Sequence, residues 1–433
     1  MAQLTDDCFA FDGPLITAAD ALARILGNLT TIADVETVPV SQALNRLLAE
    51  DVTAPHAVPP YANSAVDGYA VYHADLNADA DTILPVVGRV AAGRPLGRPL
   101  KRGEAVQIFT GAPMPDGTAE TGGPDTVMML EDCRADDDGT RVVLRPGIKP
   151  GANRRLAGDD VAAGSTVLHA GSRLGPSELG MLAACGRTEV LVRCPLSVAL
   201  FSTGDEVTEP GTPLPPGALY DSNRYAIGAA LQSIGCTVED LGILPDDPAR
   251  IRATLRDAAA RHAAILSSGG MSMGEEDHVR AAVEALGSLN FWRVAIKPGR
   301  PVGMGLIKSE TGHKAVLIGL PGNPVAAMTT FIAMARPVLL TLAGAAVTEV
   351  ARFRVIADFG YKKKSGRREF VRARLDGRDE ATSLPRAVKH GRSGAGVLSS
   401  MVGADGFVEL PEDDTHLEPG TTVDFLPFAE VFR

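Results

Sequence analysis

Between residues 187 and 345, short apolar runs alternate with segments of helical periodicity, and this alternation constrains the fold more than any other feature of the chain. The apolar runs are 197–201, 238–244, 263–266, 292–296 and 315–318. The helical segments lie near 221–234, 248–262, 276–286 and 324–342. Strands that alternate with helices in this way form a doubly wound sheet with helices on both faces. We therefore predict an α/β domain over this region.

The rest of the chain has a different texture, which predicts several domains. A chain of 433 residues is too long for one hydrophobic core. Apolar residues recur at helical spacing over 16–26 and 43–48, whereas short β-like runs fill 53–149 and the tail after 350. The predicted parts are a helical segment at 1–34 that packs on the α/β domain, a linking domain at 35–52 and 150–186, an inserted β-rich domain at 53–149, the α/β domain at 187–345 and a C-terminal β domain at 346–433.

Charge, cysteine content and apolar length exclude several classes of protein. Asp and Glu outnumber Lys and Arg by 53 to 42, and the net charge of −11 argues against a general nucleic-acid surface. The five cysteines form no CxxC pair and are odd in number, as expected for reduced thiols in the cytoplasm. The longest nearly apolar stretch, 337–347, is far shorter than the roughly 20 residues that cross a bilayer. The chain is therefore expected to be cytoplasmic, without a membrane or nucleic-acid partner.

Three of the predicted strands end in loops that combine glycine with hydroxyl and acidic side chains. These loops are 202–206, 267–277 and 319–324. In open α/β sheets, ligands bind beyond the carboxyl ends of the strands, where glycine lets backbone N–H groups approach a phosphate. In the third loop, Asn323 suits an N-cap and Pro324 suits the first helical position, so an anion-binding helix start is predicted there. Any one loop could be a simple tight turn, but three at one sheet edge predict a ligand site.

Charged side chains near these loops predict a magnesium site and an oxyanion pocket. Mg²⁺ is commonly held by one or two carboxylates together with phosphate oxygens and water. The candidate carboxylates are Asp205, Glu206, Asp221, Asp246, Glu276 and Asp277. Several of these also suit helix starts. Lys297 and Arg300 lie in a loop stiffened by Pro and Gly directly after a predicted strand, which favours a fixed cationic site. Four arginines of the tail would either extend this site or form a solvated strand face, namely Arg367, Arg368, Arg372 and Arg374.

A series of ordered motifs runs from about residue 15 to about residue 430. The motifs are 63–70, 108–115, 125–132, 151–155, 158–160, 202–206, 220–224, 268–277, 296–301 and 319–325. Together they resemble the MoeA family of molybdopterin molybdenumtransferases, to which the E domain of gephyrin is related. Any single motif would be a weak signal, whereas the whole series in this order covers nearly the entire chain.

The resemblance implies both an architecture and a reaction. It implies elongated, multidomain subunits with a MogA-like α/β domain, an inserted β-rich domain and a C-terminal domain resembling a β-barrel. It also implies a homodimer whose active site lies at the subunit interface. The implied substrates are molybdopterin-AMP and molybdate, and the metal is inserted with Mg²⁺-dependent release of AMP. The implied partners are a molybdopterin adenylyltransferase upstream, and molybdoenzyme apoproteins or cofactor-modifying enzymes downstream.

The resemblance further implies roles for individual residues. The implied catalytic residues are Asp67, Thr110, Asp160, Glu206, Asp246, Asp277 and Lys297, with Glu206, Asp246 and Asp277 as magnesium ligands. The implied substrate-binding residues are Thr203, Gly204, Asp205, Ser268, Gly269, Gly270, Ser272, Gly274, Arg293, Pro321, Gly322 and Asn323. The implied molybdate pocket consists of Lys297, Arg300, Pro301, Arg367, Ser399 and Ser400. Cations with hydroxyl and backbone donors suit molybdate, which is a tetrahedral dianion.

Two departures from the family pattern leave alternative functions open. Arg300 stands where the family has a lysine, and Ala326 stands where it often has a serine, so the affinity for molybdate is in question. The first alternative is a non-catalytic, gephyrin-like scaffold that binds the pterin. The second is the adenylyltransferase step itself, although only one copy of the α/β domain is present. The acidic and hydroxyl residues that match the family favour the molybdenum-inserting enzyme.

Overall fold

The computed structural model of the protein describes residues 4–5, 8–9, 15–270, 278–299 and 301–432, with Pro301 described by its backbone alone. The chain divides into two compact units. Unit 1 falls within Met1–Glu50, Ala170–Gly175 and Val190–Arg433, and unit 2 within Asp51–His169 and Pro176–Glu189. The expectations for Ser272, Gly274, Glu276, Asp277 and Arg300 lie outside the described residues.

A six-stranded mixed sheet forms the centre of unit 1. Its spatial order is Thr237–Leu244, Ser197–Thr203, Ala264–Ser268, Lys314–Leu320, Pro301–Lys308 and Gly287–Arg293. The first four strands are parallel, and the last two are antiparallel to their neighbours. The expected run 292–296 is not one strand, because the edge strand ends at Arg293 and a separate short strand forms at Ile296–Lys297. Pro301–Lys308 was not expected to be a strand, since its glycines weaken the apolar signal.

Helices cover both faces of this sheet, which confirms the doubly wound α/β fold. The helices of unit 1 are Ala18–Gly27, Asn223–Ser233, Pro248–Arg261, His278–Leu286, Pro324–Thr330, Arg336–Ala343 and Phe428–Val431. Along the strand Ser197–Thr203, Val198 and Leu200 join one core with the helices Asn223–Ser233 and Arg336–Ala343. The intervening Ala199 and Phe201 join the other core with the helices Pro248–Arg261 and His278–Leu286. Side chains of a strand alternate between its faces, so a strand buried on both sides is apolar throughout.

The N-terminal part of unit 1 contains one of the two expected helices. Ala18–Gly27 begins at Thr17, whose hydroxyl accepts from Asp20 N at 3.1 Å, and it buries Ala21 and Ile25 in the core of the sheet. The helix expected at 43–48 is wrong: a 3₁₀ turn at Val40–Gln42 is followed by single bridges from Leu47 and Leu48. Asn45 has φ +65°, which a right-handed helix does not accommodate.

The helical segment from Pro324 to Ala343 is not one regular α-helix. It consists of two α-helices joined by a π-helical turn at Phe331–Ala335. Its 20 residues are apolar enough to cross a membrane by length and composition, but 89% of the apolar window is buried inside the protein. Buried Arg336 interrupts the apolar run, donating Nε to Val431 O and Nη1 to Thr348 O, each at 2.8 Å. This burial is that of a core helix of the α/β sheet.

The C-terminal part of unit 1 is a closed five-stranded barrel, as expected. Its strands are Phe353–Ala357, Arg368–Arg378, Pro385–Lys389, Gly406–Leu410 and Thr422–Pro427. The barrel closes because Arg368–Arg378 pairs with both Pro385–Lys389 and Gly406–Leu410. Ile296–Lys297 adds to its edge, parallel to Arg368 and Glu369.

The remaining short strands of unit 1 are Val207–Thr208 with Leu219–Tyr220, Tyr361–Lys362 with His416–Leu417, and Val35–Pro39 with Glu189–Arg193, which enters the unit at Val190.

Unit 2 is β-rich, as expected. Its main sheet has the order Thr126–Met129, Gly68–Val71, Ala105–Ile108, Thr82–Val90, Arg141–Leu144 and Cys133–Ala135. Two short pairs accompany it, Val52–Thr53 with Thr166–Leu168 and Asn63–Ser64 with Arg154–Arg155, together with the helix Pro176–Ala184. Most of the main-sheet strands are four residues or shorter, in keeping with the frequent Pro and Gly of this region.

Candidate functional site

A cavity of about 990 Å³ opens at the carboxyl edge of the α/β sheet in unit 1. The ends of its four parallel strands and the loops that follow them line one part of it, and residues 207–223, 278–279 and 395–398 contribute to the rest. Ten of the expected site residues line the cavity, namely Thr203, Gly204, Glu206, Asp246, Ser268, Gly269, Gly270, Pro321, Gly322 and Asn323. Asp205 is exposed but does not line it. The volume lies at the upper end of the range for small-molecule sites, which suits a ligand larger than a simple mononucleotide.

Glycine is required where two of the strand-end loops approach each other. Gly270 has φ +66°, and a Cβ placed on it would lie 2.6 Å from Thr203 Oγ1 and 2.7 Å from Val279 Cγ2. A side chain at this position would therefore displace either the neighbouring loop or the start of the helix His278–Leu286. The loops leave backbone groups, not side chains, at the floor of the cavity.

Two polar residues of the cavity, Asn223 and Ser202, had no expected role, although Ser202 begins the predicted ligand loop 202–206. Buried Asn223 uses its side-chain amide to donate to Ser268 Oγ at 2.8 Å and to Gly322 O at 2.7 Å, so it ties the start of one helix to two strand-end loops. Ser202 lines the cavity, and its buried hydroxyl has no hydrogen-bond partner among the residues that the structure describes. The sequence signal for Ser202 was a hydroxyl at the end of an apolar, buried strand. A buried polar group normally has a hydrogen-bond partner, so an unpartnered hydroxyl at a cavity indicates a contact with a ligand.

Two carboxylates at the cavity have the character of magnesium ligands. Glu206 and Asp246 both line it and both are exposed, and His278 Nε2 lies 3.9 Å from Asp246 Oδ1. Among the described residues, no group of three or more His, Cys, Asp or Glu side chains is close enough to hold a metal. Mg²⁺ does not need such a group when phosphate oxygens and water complete its coordination. The donor set therefore fits an ion that arrives with a phosphate.

Asp221, a further candidate carboxylate, lines the cavity as a buried member of an ion-pair cluster around buried Arg224, whose other two carboxylate side chains are partly exposed. Arg224 Nε lies 3.0 Å from Asp221 Oδ2, and the other guanidinium nitrogens pair with Asp240 and Glu209. Burial alone would lower the pKa of Arg224, but its hydrogen bonds with Asp240 and Asp221 raise the pKa above its ordinary value. This cluster fixes the start of the helix Asn223–Ser233 next to the ligand site.

The Asn323 loop begins a helix as expected, although its side chain does not cap that helix. Pro324 occupies the first turn, and Asn323 stands at the N-cap position without a side-chain hydrogen bond to the helix. Val325 N donates instead to Ala395 O of the C-terminal barrel at 2.9 Å. The loop around Ala395 and Leu398 thereby becomes part of the cavity wall.

Of the expected molybdate residues whose side chains the structure describes, none lines the cavity. Lys297 Nζ lies 3.0 Å from Glu369 Oε1, and Arg367 is half-buried. Ser399 is exposed, whereas Ser400 is buried and its Oγ accepts from Arg372 Nε at 3.0 Å. Gly299 and Ala326 do line the cavity, and they mark the side on which the Lys297 loop lies. Arg293 is exposed at the end of the edge strand.

In unit 2, the structure brings Asp67 and Thr110 together. Thr110 donates to Asp67 Oδ1 through its hydroxyl at 2.6 Å and through its backbone N at 2.8 Å. These two hydrogen bonds, that of the hydroxyl first, lower the pKa of the exposed Asp67 carboxyl. Asp160, the third expected residue of this unit, is exposed and donates its backbone N to Val58 O at 3.1 Å. Asp67 therefore remains a carboxylate at lower pH than an ordinary aspartate.

We expect Thr110→Val to raise the Asp67 pKa towards its ordinary value, because valine keeps the shape of threonine but not the hydroxyl. The backbone hydrogen bond remains, so the lowering of the pKa should be reduced and not abolished. The measurement is an NMR titration of the carboxyl carbons. Thr140→Val is the matched control, since the Thr140 hydroxyl lowers the pKa of Asp138 in the same way. An unchanged Asp67 titration in Thr110→Val would contradict the assignment.

Comparisons with known proteins agree along the whole chain. Family models match for the MoeA N-terminal region (domain I and II) over 16–186, a probable molybdopterin binding domain over 199–341 and the MoeA C-terminal region (domain IV) over 354–428. A molybdopterin molybdenumtransferase of Haemophilus influenzae is 36% identical over 419 residues, covering 96% of this chain and 99% of that protein. Molybdopterin molybdenumtransferase 2 of Mycobacterium tuberculosis is 33% identical, covering 92% and 96%. A crystal structure of the molybdopterin biosynthesis MoeA protein of Pyrococcus horikoshii OT3 is 26% identical, with a TM-score of 0.79 and coverage of 96% and 100%.

Proposed function

The chain belongs to the MoeA family, and from this premise we propose that it is a molybdopterin molybdenumtransferase of molybdenum cofactor biosynthesis. In this proposal it inserts molybdenum from molybdate into adenylylated molybdopterin, with Mg²⁺-dependent release of AMP. The observation that carries the proposal is the 990 Å³ cavity, most of whose lining residues fall in the region matching a probable molybdopterin binding domain. Nothing in the comparisons favours a non-catalytic scaffold.

In this proposal, the loops of the cavity bind the phosphates and its carboxylates bind Mg²⁺. The glycine loops at 268–270 and 321–323 offer backbone N–H groups to the phosphates, together with the hydroxyls of Ser202, Thr203 and Ser268. Glu206 and Asp246 would hold Mg²⁺, with Asp277 as the third ligand that the family pattern implies. When bound, the ion supplies charge stabilisation for cleavage of the phosphoanhydride. No serine or cysteine nucleophile is needed for this chemistry.

The molybdate side of the site is proposed to lie where the Lys297 loop meets the C-terminal barrel. Lys297, Arg300 and Arg367 would provide charge, while Pro301 and the Ser399–Ser400 pair would shape the pocket. Ala326 removes one hydroxyl from it, and Gly299 beside Ala326 leaves room for the anion. Arg300 presents a guanidinium, which can bind an oxyanion through two parallel hydrogen bonds.

Asp67, Thr110 and Asp160 are exposed in unit 2 and are therefore accessible to a second subunit. We propose that the protein works as a homodimer in which these residues complete the site of the other subunit. Its partners would be the enzyme that adenylylates molybdopterin and the proteins that receive or modify the finished cofactor. We place this pathway in the cytoplasm, consistent with five cysteines that form no disulfide.

The proposed function is tested by AMP release from adenylylated molybdopterin. We expect release that depends on Mg²⁺ and rises with added molybdate. The pterin product should then activate a molybdenum-free apoenzyme. Tight binding of the pterin without AMP release would overturn the proposal and point to a scaffold, whereas transfer of AMP from ATP onto molybdopterin would point to the adenylyltransferase.

Lys297→Met is expected to raise the molybdate concentration needed for half-maximal AMP release by about tenfold, because it removes a cation and keeps the apolar stem. The control is Lys101→Met, which removes an exposed lysine of unit 2. Equal molybdate requirements in the two variants would contradict a role for Lys297 in anion binding.

A further inference from the structure

Lys297 already has a buried anionic partner in this structure. Its Nζ lies 3.0 Å from Glu369 Oε1 and 3.1 Å from Oε2, so it contacts both carboxylate oxygens. The Glu369 side chain is only 3% exposed, whereas that of Lys297 is 49% exposed. The cation therefore faces a buried carboxylate on one side and solvent on the other.

The backbone fixes this pair in register. Ile296–Lys297 lies parallel to the barrel strand Arg368–Arg378, with Lys297 directly paired to Glu369. Arg368 N also donates to Ala295 O at 2.8 Å, which holds the loop against the barrel at the same point. The lysine thus reaches Glu369 without a change in the fold, and the pair is not a chance contact of two long surface side chains.

A second donor holds the carboxylate in place. Tyr361 OH donates to Glu369 Oε2 at 2.9 Å. Burial, followed by the hydrogen bond and charge of Glu369, raises the pKa of Tyr361 to about 12, so the phenol keeps its proton and remains a donor. Glu369 is consequently an oriented negative charge next to the proposed anion pocket.

We propose that Glu369 is a built-in competitor of molybdate for Lys297, and that it sets the anion affinity of the site. This inference rests on the proposed function. A bound dianion and the Glu369 carboxylate both interact with the Lys297 ammonium group. Because the two anions also repel each other, each weakens the interaction of the other with Lys297. Glu369 therefore keeps the lysine ordered while the pocket has no anion, and it lowers the affinity for the anion once one arrives. Glu369 acts through Lys297 and is a positioning residue.

The test replaces the charge of Glu369 while keeping its shape. We expect Glu369→Gln to lower the molybdate concentration for half-maximal AMP release by about fivefold. Binding of molybdate alone, followed by calorimetry, should tighten by the same factor. A purely structural role would predict the opposite, because a damaged barrel would bind the anion less well.

Two further variants make the test independent of folding defects. Tyr361→Phe removes the neutral donor, leaves Glu369 more dependent on Lys297, and should raise the molybdate requirement by about twofold. Glu409→Gln is the matched control, since Glu409 is a buried carboxylate of the same barrel that pairs with Arg352 and Arg368 and not with Lys297. It should leave the molybdate requirement unchanged.

Each result has a definite meaning. A wild-type enzyme that binds molybdate, together with a folded Glu369→Gln variant of unchanged or weaker affinity, overturns this inference alone. If Glu369→Gln does not fold, an unchanged requirement in Tyr361→Phe overturns it. A wild-type protein that neither binds molybdate nor responds to it in AMP release overturns the proposed function, and the inference with it.

Discussion

Asp246→Asn should lower kcat/KM for AMP release by about a hundredfold, because it removes the charge of one of the two exposed carboxylates, Glu206 and Asp246, that line the cavity. Raising the Mg²⁺ concentration should restore part of the rate, since a weakened metal site can still be filled by mass action. The measurement is the rate of AMP release as a function of Mg²⁺, at saturating adenylylated pterin.

The next residue along the chain provides a matched control for this variant. Asp247 caps the helix Pro248–Arg261, and its Oδ1 accepts from Ala249 N at 2.8 Å. Asparagine caps helices about as well as aspartate, so Asp247→Asn makes the same chemical change one residue away and should leave the Mg²⁺ dependence intact. Equal effects of the two substitutions would show that the removal of a negative charge near the cavity, and not weaker metal binding, explains the lower rate of AMP release.

Arg224→Met should destabilise unit 1 by about 3–5 kcal/mol, because it leaves a carboxylate buried without its partner. The Asp221 side chain is only 2% exposed and pairs with the Arg224 guanidinium. Trp292, the single tryptophan of the chain, is buried in unit 1, so its fluorescence reports the unfolding of that unit in denaturant.

Two comparisons separate loss of the ion pair from loss of an arginine in general. Arg252→Met changes an exposed arginine of the helix Pro248–Arg261 and should alter stability by less than about 0.5 kcal/mol. Arg224→Met combined with Asp221→Asn removes the unpaired charge and should recover part of the loss. A double variant as unstable as the single one would indicate that the packing of Arg224, and not its charge, supports the helix.

The α/β domain could be predicted because burial of its strands in the folded sheet leaves a local pattern of apolar runs in the sequence. Phe201 and its neighbours form an apolar run because the strand is buried on both faces, and glycine and polar loops follow each parallel strand. Ten residues implied by the family resemblance line the cavity at one sheet edge, and nine of them, all but Asp246, lie in the predicted loops 202–206, 267–277 and 319–324. Periodicity and loop chemistry are local properties, so the sequence displays them directly.

The features that escaped prediction depend on contacts between distant segments. The strand Pro301–Lys308 is held by hydrogen bonds to the strands on either side of it, despite glycines that weaken its intrinsic preference. Asn45 adopts a positive φ within a run of helical spacing, and periodicity gives no sign of this. Likewise, nothing in the local sequence indicates that Glu369, 72 residues away, is the partner of Lys297.

The π-helical turn at Phe331–Ala335 lies between a part of the helical segment that lines the cavity and a part that contacts the C-terminal end of the chain. Such a turn accommodates about one extra residue, and each residue of an α-helix advances the rotation by about 100°. Before the turn, Ala326 faces the cavity, and after it, Arg336 holds the backbone near the C-terminus. Deleting one residue here would straighten the helix but rotate one of these side chains out of place. The length of this segment is therefore under a stricter constraint than its composition, and single-residue insertions or deletions should be excluded where apolar exchanges are tolerated.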